Sequence, residues 1–327
     1  MEPIQPHQPL PSTSWKARRA GRFVHRGVAA GLVLAATACV AEGGREFRSL
    51  GTGGTGGVYY PLGGALASQM SLADSTRQYT AEVTGGSVEN VNRVLAGQID
   101  LGFALSVTVF ERYREATEEE PGRRLRIVAP LYPNLIHVLV REGAGVGSLG
   151  DLRRKRVSVG SPGSGTEQTS RQLLASAGLT YDDVEEQYLS FSESAAALKD
   201  GALDAALLSV GYPAAAVLEG TTTGDVRLLP LSEPEISALK EAHPYYDAAE
   251  IPPGIYPGVD QPVPTVAMMN WLVARDDLPG EIVALVLNIL GGEGVSLERV
   301  HEMARQIDLS ALERAPAPLH PASEAWR

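Results

Sequence analysis

The chain has 327 residues, of which 44% are hydrophobic and 20% are charged, a globular balance that excludes a disordered or fibrous protein. This length is enough for two α/β lobes or for one large domain. The net charge is −11, and beyond the first 38 residues the only tight basic run is residues 153–156. Both features argue against nucleic acid as a partner.

The first 38 residues have the pattern of an export signal. Five Lys and Arg residues precede a largely apolar run, residues 27–38, which is too short to span a bilayer. The run leads into Cys39, the only cysteine, and this resembles a bacterial lipoprotein box, which predicts lipidation of Cys39. Ordinary cleavage after the A-x-A pattern of residues 36–38 is the alternative. Residues 1–38 are therefore predicted to be a signal peptide and residues 39–45 an anchored tether.

Export would leave a strongly acidic mature protein. Residues 1–38 contain five basic residues and one Glu, so their removal changes the net charge from −11 to −15. An exported protein of this charge that binds an anion must use local groups against its overall field.

The densest local signal is residues 51–57, in which five of seven residues are glycine. A predicted strand at residues 47–50 precedes them, and a helical stretch at residues 62–70 follows. A strand, a glycine turn and a helix start in this order aim backbone N–H groups at an anion.

The same turn also matches a nucleotide-binding pattern. Gly51, Gly53 and Gly56 fit G-x-G-x-x-G, and Glu82 lies in the next predicted strand. A dinucleotide-dependent oxidoreductase is therefore the alternative function. A P-loop is excluded, because no Gly-Lys-Ser/Thr follows the glycines.

The rest of the chain alternates short apolar runs with helical ones, which favours α/β units on a largely parallel sheet. Further strands are predicted at residues 79–83, 99–105, 125–131, 136–140, 157–160, 205–209 and 265–273. Further helices are predicted at residues 88–95, from about 166 to 177, and at 236–242, 281–290 and 296–306. Residues 230–264 are predicted to form a long irregular connection.

Two pairs of segments repeat within the chain. Residues 49–56 align with residues 158–165, with four identities and two Thr/Ser exchanges. Residues 94–100 align with residues 198–204, in the same order and nearly the same register. Together the repeats predict two lobes built on one plan. Each lobe would present a helix N-terminus with glycines and hydroxyls to the same small anion, and a hinge motion would close them.

The sequence carries no pattern for catalysis. His137, His243, His301 and His320 show no paired spacing typical of a metal site, and no G-x-S-x-G motif occurs. The only cysteine lies at the end of the leader. We therefore expect no enzyme activity, no cofactor and no metal.

Residues 51–61 closely resemble the TAXI class of solute receptors for TRAP (tripartite ATP-independent periplasmic) transporters. Segments at 84–90, 131–133, 160–166 and 318–321 resemble the same family in order. The resemblance covers residues 46–321, and it implies a two-lobed type II periplasmic binding protein (Venus-flytrap) fold. It also implies that the protein binds a small organic anion and delivers it to TRAP permease subunits. Known members bind glutamate, related amino acids or 2-oxoacids such as 2-oxoglutarate.

The resemblance further implies that no dedicated arginine binds the ligand carboxylate. Arg48 and Arg156 lie upstream of the two turns, and neither is an obvious ligand. The chain departs from the family pattern at Ala322 and Ser323, which affects the last helix more than the pocket. An exported structural or adhesion module is a third alternative, but it would give the two turns no purpose.

We therefore expect a monomeric receptor of the α/β class, with lobe 1 formed by residues 46–137 and 231–327 and lobe 2 by residues 138–230. The expected ligand contacts of lobe 1 come from the glycine turn, two tyrosines and one amide: Thr52, Gly53, Gly54, Thr55, Tyr59, Tyr60 and Asn90. Those of lobe 2 are the N–H groups and hydroxyls of Ser164, Gly165 and Thr166. Tyr132 and Tyr212 are expected to stack on the ligand or to bond it through their hydroxyls.

Overall fold

The computed structural model describes residues 45–222, 225–293 and 297–327, so the predicted signal peptide and Cys39 lie outside the described residues. The described chain is mixed α/β. Its strands are β1 (Glu46–Gly51), β2 (Arg77–Glu82), β3 (Leu101–Leu105), β4 (Leu125–Arg141), β5 (Arg156–Ser158), β6 (Glu185–Gln187), β7 (Ala205–Val210), β8 (Val226–Leu228), β9 (Asp247–Ile251) and β10 (Val263–Arg275). Its α-helices are α1 (Tyr59–Ala73), α2 (Ser87–Leu95), α3 (Ser106–Glu115), α4 (Gly165–Ser176), α5 (Phe191–Lys199), α6 (Ala215–Thr221), α7 (Glu233–Ala242), α8 (Gly280–Asn288) and α9 (Pro321–Trp326). Within the described ranges, no helix combines the length and the apolar character needed to cross a membrane.

The strands form one sheet in the order β2-β1-β3-β10-β4-β7-β5-β6, with β8 beside β4 and β9 beside β10. β1 pairs in parallel with β2 and β3, and β5 pairs in parallel with β6 and β7. The apolar runs of β3 and β7 are buried at every position, as expected for strands covered on both faces. These pairings confirm the predicted α/β units. The prediction of a largely parallel sheet is wrong, because β4 and β10 pair antiparallel with all of their neighbours.

Two long strands, β4 and β10, change partners along their length. β4 pairs with β10 before Leu135 and with β7 after it. β10 pairs with β9 up to Ala267 and with β3 from Asn270 onward. The two strands thus join two groups of elements. We call β1–β3 with α1–α3 the first lobe, and β5–β8 with α4–α7 the second lobe.

The structure places α7 and β9 with the second lobe. The hydroxyl of Tyr246, just after α7, donates to Gln172 of α4 at 2.8 Å, and β9 pairs with the first part of β10. These contacts tie the segment after residue 230 to α4 and β10, and the lobe boundary at residue 230 stays a prediction. The predicted helix at residues 236–242 is confirmed as α7, whereas the rest of the predicted irregular connection over residues 230–264 contains the strand β9, which the sequence did not predict. Pro234 lies in the first turn of α7, where its missing N–H costs nothing.

Two other segments differ from the predictions. The described part of the predicted helix at 296–306 forms two short 3₁₀ turns, Leu297–Arg299 and Glu302–Gln306, separated where the His301 side chain caps the second turn. The helix α3 is not predicted. Its first turn contains Val107 and Thr108, and β-branched residues of this kind favour strands.

The acidic residues of the second repeat have the same role in both lobes. Asp100 accepts hydrogen bonds from the Ser49 N–H and the Arg48 guanidinium. Asp204 accepts from the N–H and the guanidinium of Arg156. Each aspartate therefore fixes the strand that leads into a glycine turn. Both arginines are engaged at their strands, away from the turns.

Asp204→Asn is expected to lower the free energy of unfolding by about 2–3 kcal/mol. The Asp204 side chain is only 13% exposed and pairs with both Arg156 and Arg141. Its hydrogen bond with Arg156 is the main reason that the pKa of Asp204 lies well below its usual range. The ion pairs stabilise the folded protein only while Asp204 is ionised. Their contribution to the free energy of unfolding is therefore present above about pH 4 and is lost as the pH falls further.

Urea unfolding of the wild type and of Asp204→Asn between pH 7 and pH 3 measures the difference in their free energies of unfolding. This difference should become smaller below about pH 4. Asp200→Asn is the matched control, since Asp200 is exposed at the end of α5. Equal losses of stability in the two variants would show that the Asp204 ion pairs do not stabilise the fold.

Candidate functional site

A cavity of about 60 Å³ lies between the lobes, at the carboxyl ends of the parallel strands. Ligands of open α/β sheets bind at this edge, because loops and helix N-termini converge there. A water molecule needs about 10–15 Å³ of such a cavity, so roughly four to six water molecules fit. In the liquid, that number of water molecules occupies about the volume of an amino acid or a small dicarboxylic acid. The cavity is lined by Gly53, Gly54, Gly57, Val58, Tyr59, Gly85, Gly86, Ser87, Leu105, Tyr132, Asn134, Ser161, Ser164, Gly165, Thr166, Ser190, Phe191, Ser209 and Val210.

Four α-helices begin at the wall of this cavity. α1 and α2 of the first lobe begin at Tyr59 and Ser87, and α4 and α5 of the second lobe begin at Gly165 and Phe191. All four residues line the cavity. The first N–H groups of a helix have no acceptor within it, and a helix N-terminus carries about half a positive charge. The four N-termini together make the cavity a favourable environment for an anion.

The residues that line the cavity include no Asp, Glu, Lys, Arg or His. Glu89 lies beside it, where its carboxylate accepts from the Gly85 N–H at 2.7 Å and faces Arg93 at 3.6 Å. An anion in the cavity would therefore be held by neutral donors and helix N-termini. In the part of the chain that the structure describes, no group of three or more His, Cys, Asp or Glu residues can hold a metal ion.

A chain of buried amides forms the floor of the cavity. The Tyr59 hydroxyl donates to Asn270, whose amide donates to the Tyr132 carbonyl and to Asn134, both at 2.7 Å. The Asn134 amide in turn donates to the Ser209 carbonyl at 2.9 Å. Burial raises the pKa of Tyr59, so its hydroxyl remains a donor. The network ties α1 to β10, β4 and β7 at the point where the long strands change partners.

The lobes contact each other on both sides of the cavity. The Glu89 N–H of α2 donates to the Gly163 carbonyl at 3.0 Å. On the other side, the Ala216 N–H donates to the Gly56 carbonyl at 3.1 Å. Both bonds join a first-lobe residue to a second-lobe residue, so the cleft is closed in this structure.

The structure brings residues of both predicted half-sites to the same cavity. The predicted residues that line it are Gly53, Gly54, Tyr59, Tyr132, Ser164, Gly165 and Thr166. The predicted residues that do not line it are Thr52, Thr55, Tyr60, Asn90 and Tyr212.

Thr52 and Asn90 are fully buried beneath the glycine turn. The Asn90 amide donates to the carbonyls of Thr52 at 2.6 Å and Phe103 at 2.9 Å, and its oxygen accepts from Thr84 at 2.7 Å. The Thr52 hydroxyl donates to the Glu82 carbonyl at 2.6 Å. These side chains hold the turn in shape and do not reach the cavity.

The other three residues lie on outer surfaces. Thr55 is exposed at the tip of the turn. Tyr60 is also exposed, because consecutive helical residues point about 100° apart and Tyr59 takes the cavity side. The Tyr212 hydroxyl accepts from Gln306 at 3.1 Å, near the C-terminal 3₁₀ turns.

The lining residues that the sequence did not predict are Gly57, Val58, Gly85, Gly86, Ser87, Leu105, Asn134, Ser161, Ser190, Phe191, Ser209 and Val210. Two local signals point to some of them. Gly85 and Gly86 form another glycine turn before a helix. Ser190 and Glu193 form a capping box at the start of α5. Asn134 and Ser209 carry no local signal, because their position depends on the pairing of β4 with β7.

Asn90→Ala is expected to lower the free energy of unfolding by about 2–4 kcal/mol, because it removes three hydrogen bonds between buried groups. Urea or thermal denaturation measures this loss. Asn92→Ala is the control, since Asn92 is exposed on the same helix. An Asn90→Ala protein as stable as the wild type would show that the network beneath the turn is not structural.

The dinucleotide alternative finds no support in this geometry. The Glu82 carboxylate, which would bind the ribose, pairs with Arg93. Gly56 faces the second lobe: a Cβ there would lie 3.2 Å from the Ser192 backbone nitrogen. The missing side chain at Gly56 therefore makes room for Ser192, so a pyrophosphate is not needed to explain this glycine. The cavity of about 60 Å³ is also far too small for a dinucleotide.

Solved structures share this architecture. PhnD1 from Prochlorococcus marinus (MIT 9301), solved in complex with methylphosphonate, matches with a TM-score of 0.54 and 12% identity over 80% of this chain and 91% of that chain. A structure described as a periplasmic transporter matches with a TM-score of 0.51 and 14% identity over 88% and 92% of the two chains. A protein from Bordetella bronchiseptica RB50 matches with a TM-score of 0.50 and 18% identity over 86% and 80%. The chain has the type II periplasmic binding protein fold, as predicted.

The sequence also matches a protein-family model. Residues 50–326 match the NMT1-like family, so the match covers both lobes and both glycine turns. The chain belongs to the NMT1-like family.

Proposed function

We propose that the protein is an exported receptor that binds a small organic anion between its lobes and delivers it to a membrane transporter. The observation that carries this proposal is the meeting of four helix N-termini around a cavity lined by no charged side chain. The fold, shared with a structure described as a periplasmic transporter, supports a role outside the cytoplasm. The motif resemblance to the TAXI class supports TRAP permease subunits as the membrane partner and a monomeric receptor.

In this proposal the ligand is gripped from both sides. The N–H groups of Gly53 and Gly54 hold one end from the first lobe, with the Tyr59 ring as a wall. The N–H groups of Gly165 and Thr166, at the start of α4, hold a carboxylate from the second lobe. A glutamate-like amino acid, a 2-oxoacid and a dicarboxylate all have the size that the cavity takes.

The strands β4 and β10 act as the hinge. We propose lobe boundaries near Leu135 and Ala267, and the changes of strand partner at these residues support them. Residues 1–38 direct export, and a lipid on Cys39 anchors the protein at the outer face of the cytoplasmic membrane. Such an anchor keeps the receptor close to membrane permease subunits.

Isothermal titration calorimetry tests the proposed function. The purified protein is titrated with 2-oxoglutarate, glutarate, glutamate, methylphosphonate and NAD. We expect micromolar or tighter binding of at least one small anion and none of NAD. Binding of NAD with no response to any small anion would contradict the receptor and favour the dinucleotide alternative.

A further inference from the structure

Two hydroxyl groups at the cavity are left without a hydrogen bond. Tyr132 of β4 is 0% exposed and Ser209 of β7 is 4% exposed, and both residues line the cavity. Among the residues that the structure describes, neither hydroxyl oxygen has a partner. Buried polar groups are nearly always paired, and each unpaired one costs about 1–3 kcal/mol. Two such groups at one cavity indicate that a ligand completes their hydrogen bonds.

The strand pairing brings Tyr132 and Ser209 to one region of the cavity wall. Ile136 lies opposite Ser209 in the antiparallel pair of β4 and β7, and the Asn134 amide holds the Ser209 carbonyl. Tyr132 precedes Asn134 on the same strand, and its carbonyl is held by Asn270. The chain of buried amides through Asn270 and Asn134 therefore fixes the backbone of both residues. Their hydroxyls take no part in it and can bind a ligand.

Both hydroxyls can donate. Burial raises the pKa of the Tyr132 hydroxyl well above its usual value, and the neighbouring Tyr59 adds to the shift. The phenol therefore keeps its proton at neutral pH. A serine hydroxyl also carries its proton at this pH.

The surrounding charges favour acceptors and disfavour cations. No carboxylate lines the cavity, and Glu89 beside it is engaged by the Gly85 N–H and by Arg93. The four helix N-termini carry partial positive charge. A buried ammonium without a carboxylate partner is costly, and here it would also meet these dipoles.

We propose that Tyr132 and Ser209 form a subsite that donates two hydrogen bonds to the ligand, and that the receptor selects anions whose polar groups are all acceptors. Such ligands are dicarboxylates and 2-oxoacids, and α-amino acids are disfavoured because they carry an ammonium group. This subsite rests on the proposed anion-binding function. Since neither hydroxyl has a partner among the described protein groups, we expect the two hydroxyls to stabilise only the protein that contains its ligand.

The test measures affinity and stability on the same variants. Tyr132→Phe and Ser209→Ala are titrated with 2-oxoglutarate, glutarate and glutamate by calorimetry, and their Tm is measured without ligand. We expect each variant to bind 2-oxoglutarate or glutarate roughly tenfold to a hundredfold more weakly than the wild type. We expect its Tm without ligand to equal or exceed that of the wild type, because the deleted hydroxyl had no partner. The wild type should bind glutamate at least about tenfold more weakly than its best acceptor-only anion.

Two buried hydroxyls that do have partners provide matched controls. The Tyr256 hydroxyl bonds the His137 ring at 3.1 Å, and Ser158 bonds Ser194 at 2.7 Å. Neither Tyr256 nor Ser158 lines the cavity. Tyr256→Phe and Ser158→Ala should therefore lower the Tm and leave the affinity unchanged, which is the opposite pattern.

The outcomes separate the subsite from the proposed function. Wild-type affinity in both Tyr132→Phe and Ser209→Ala would overturn the subsite while the receptor stands. Tighter binding of glutamate than of 2-oxoglutarate and glutarate would overturn the selection against ammonium. Binding of methylphosphonate alone would overturn the assignment to dicarboxylates and 2-oxoacids. If the wild type binds none of these anions, the proposed function fails, and the subsite fails with it.

Discussion

Thr166→Asp is expected to abolish anion binding, whereas Thr166→Asn should weaken it by no more than about tenfold. Thr166 is the second residue of α4, is buried and lines the cavity. A carboxylate there would lie about 4 Å from an anionic oxygen held by the start of α4, and the repulsion is about 4 kcal/mol at an effective dielectric constant of about 20. This corresponds to roughly a thousandfold loss of affinity. Asn has nearly the same size as Asp and carries no charge.

The folded state should tolerate this change. A carboxylate in the first turn of a helix stabilises it by about 0.3–1 kcal/mol through the helix dipole, so the Tm of Thr166→Asp should stay near that of Thr166→Asn. Calorimetry with the anion that the wild type binds most tightly measures the affinities of Thr166→Asp and Thr166→Asn. If Thr166→Asp binds that anion within tenfold of Thr166→Asn, the start of α4 does not hold the charge.

Gly85→Ala is expected to weaken ligand binding by roughly tenfold to a hundredfold while the protein stays folded. A Cβ at Gly85 would lie 2.6 Å from the Pro162 carbonyl oxygen of the opposite lobe and 3.0 Å from the Glu89 carboxylate. The Pro162 oxygen belongs to the backbone of the turn before α4, so the contact is relieved only if the lobes stay apart. Overpacking of this kind costs about 1–3 kcal/mol, and here it would destabilise only the closed form.

Gly64→Ala is the matched control for this variant. A Cβ at Gly64, in the middle of α1, meets no atom within 4 Å among the described residues. This substitution should stabilise the protein by roughly 0.5–1 kcal/mol and leave the affinity unchanged. Small-angle X-ray scattering should show the radius of gyration falling with ligand in the wild type and Gly64→Ala but less in Gly85→Ala. Normal binding and closure in Gly85→Ala would contradict a cleft closed through this contact.

Local patterns singled out some of the second-lobe residues that line the cavity. The alignment of the two glycine turns singled out Ser164, Gly165 and Thr166, and all three line the cavity. This placement at the cavity has a local cause. Ser164 caps α4 through the Glu167 N–H, so the residues that begin the helix are also the residues that face the anion.

Contacts between distant segments explain what could not be predicted. Asn90 and Thr52 are polar residues near a glycine turn, and the sequence does not show whether they face the ligand or support the turn. Their partners, Phe103 and Glu82, lie on other strands. Ser209 and Asn134 reach the cavity only because β4 pairs with β7, about 70 residues further along the chain.

The long hinge strand β4 is a second such case. The sequence predicts two strands here, at residues 125–131 and 136–140. Pro130 and Pro133 lie in this stretch, and proline lacks the N–H that a sheet requires. The strand is continuous, and its partner β10 shifts register between Met269 and Trp271, opposite these two prolines. The irregular pairing absorbs the missing donors. The gap between the two predicted strands therefore corresponds to a local shift in the pairing of β4 with β10. It is not the end of a strand.

A crystal structure of the protein grown with its tightest-binding anion tests the central claim most directly. We expect the anion in the cavity, with an acidic oxygen within hydrogen-bond distance of the Gly165 and Thr166 N–H groups. A second acceptor should lie at the hydroxyls of Tyr132 and Ser209. An anion bound outside the cavity, or held there by an arginine or lysine side chain, would contradict a clamp built from neutral donors and helix N-termini.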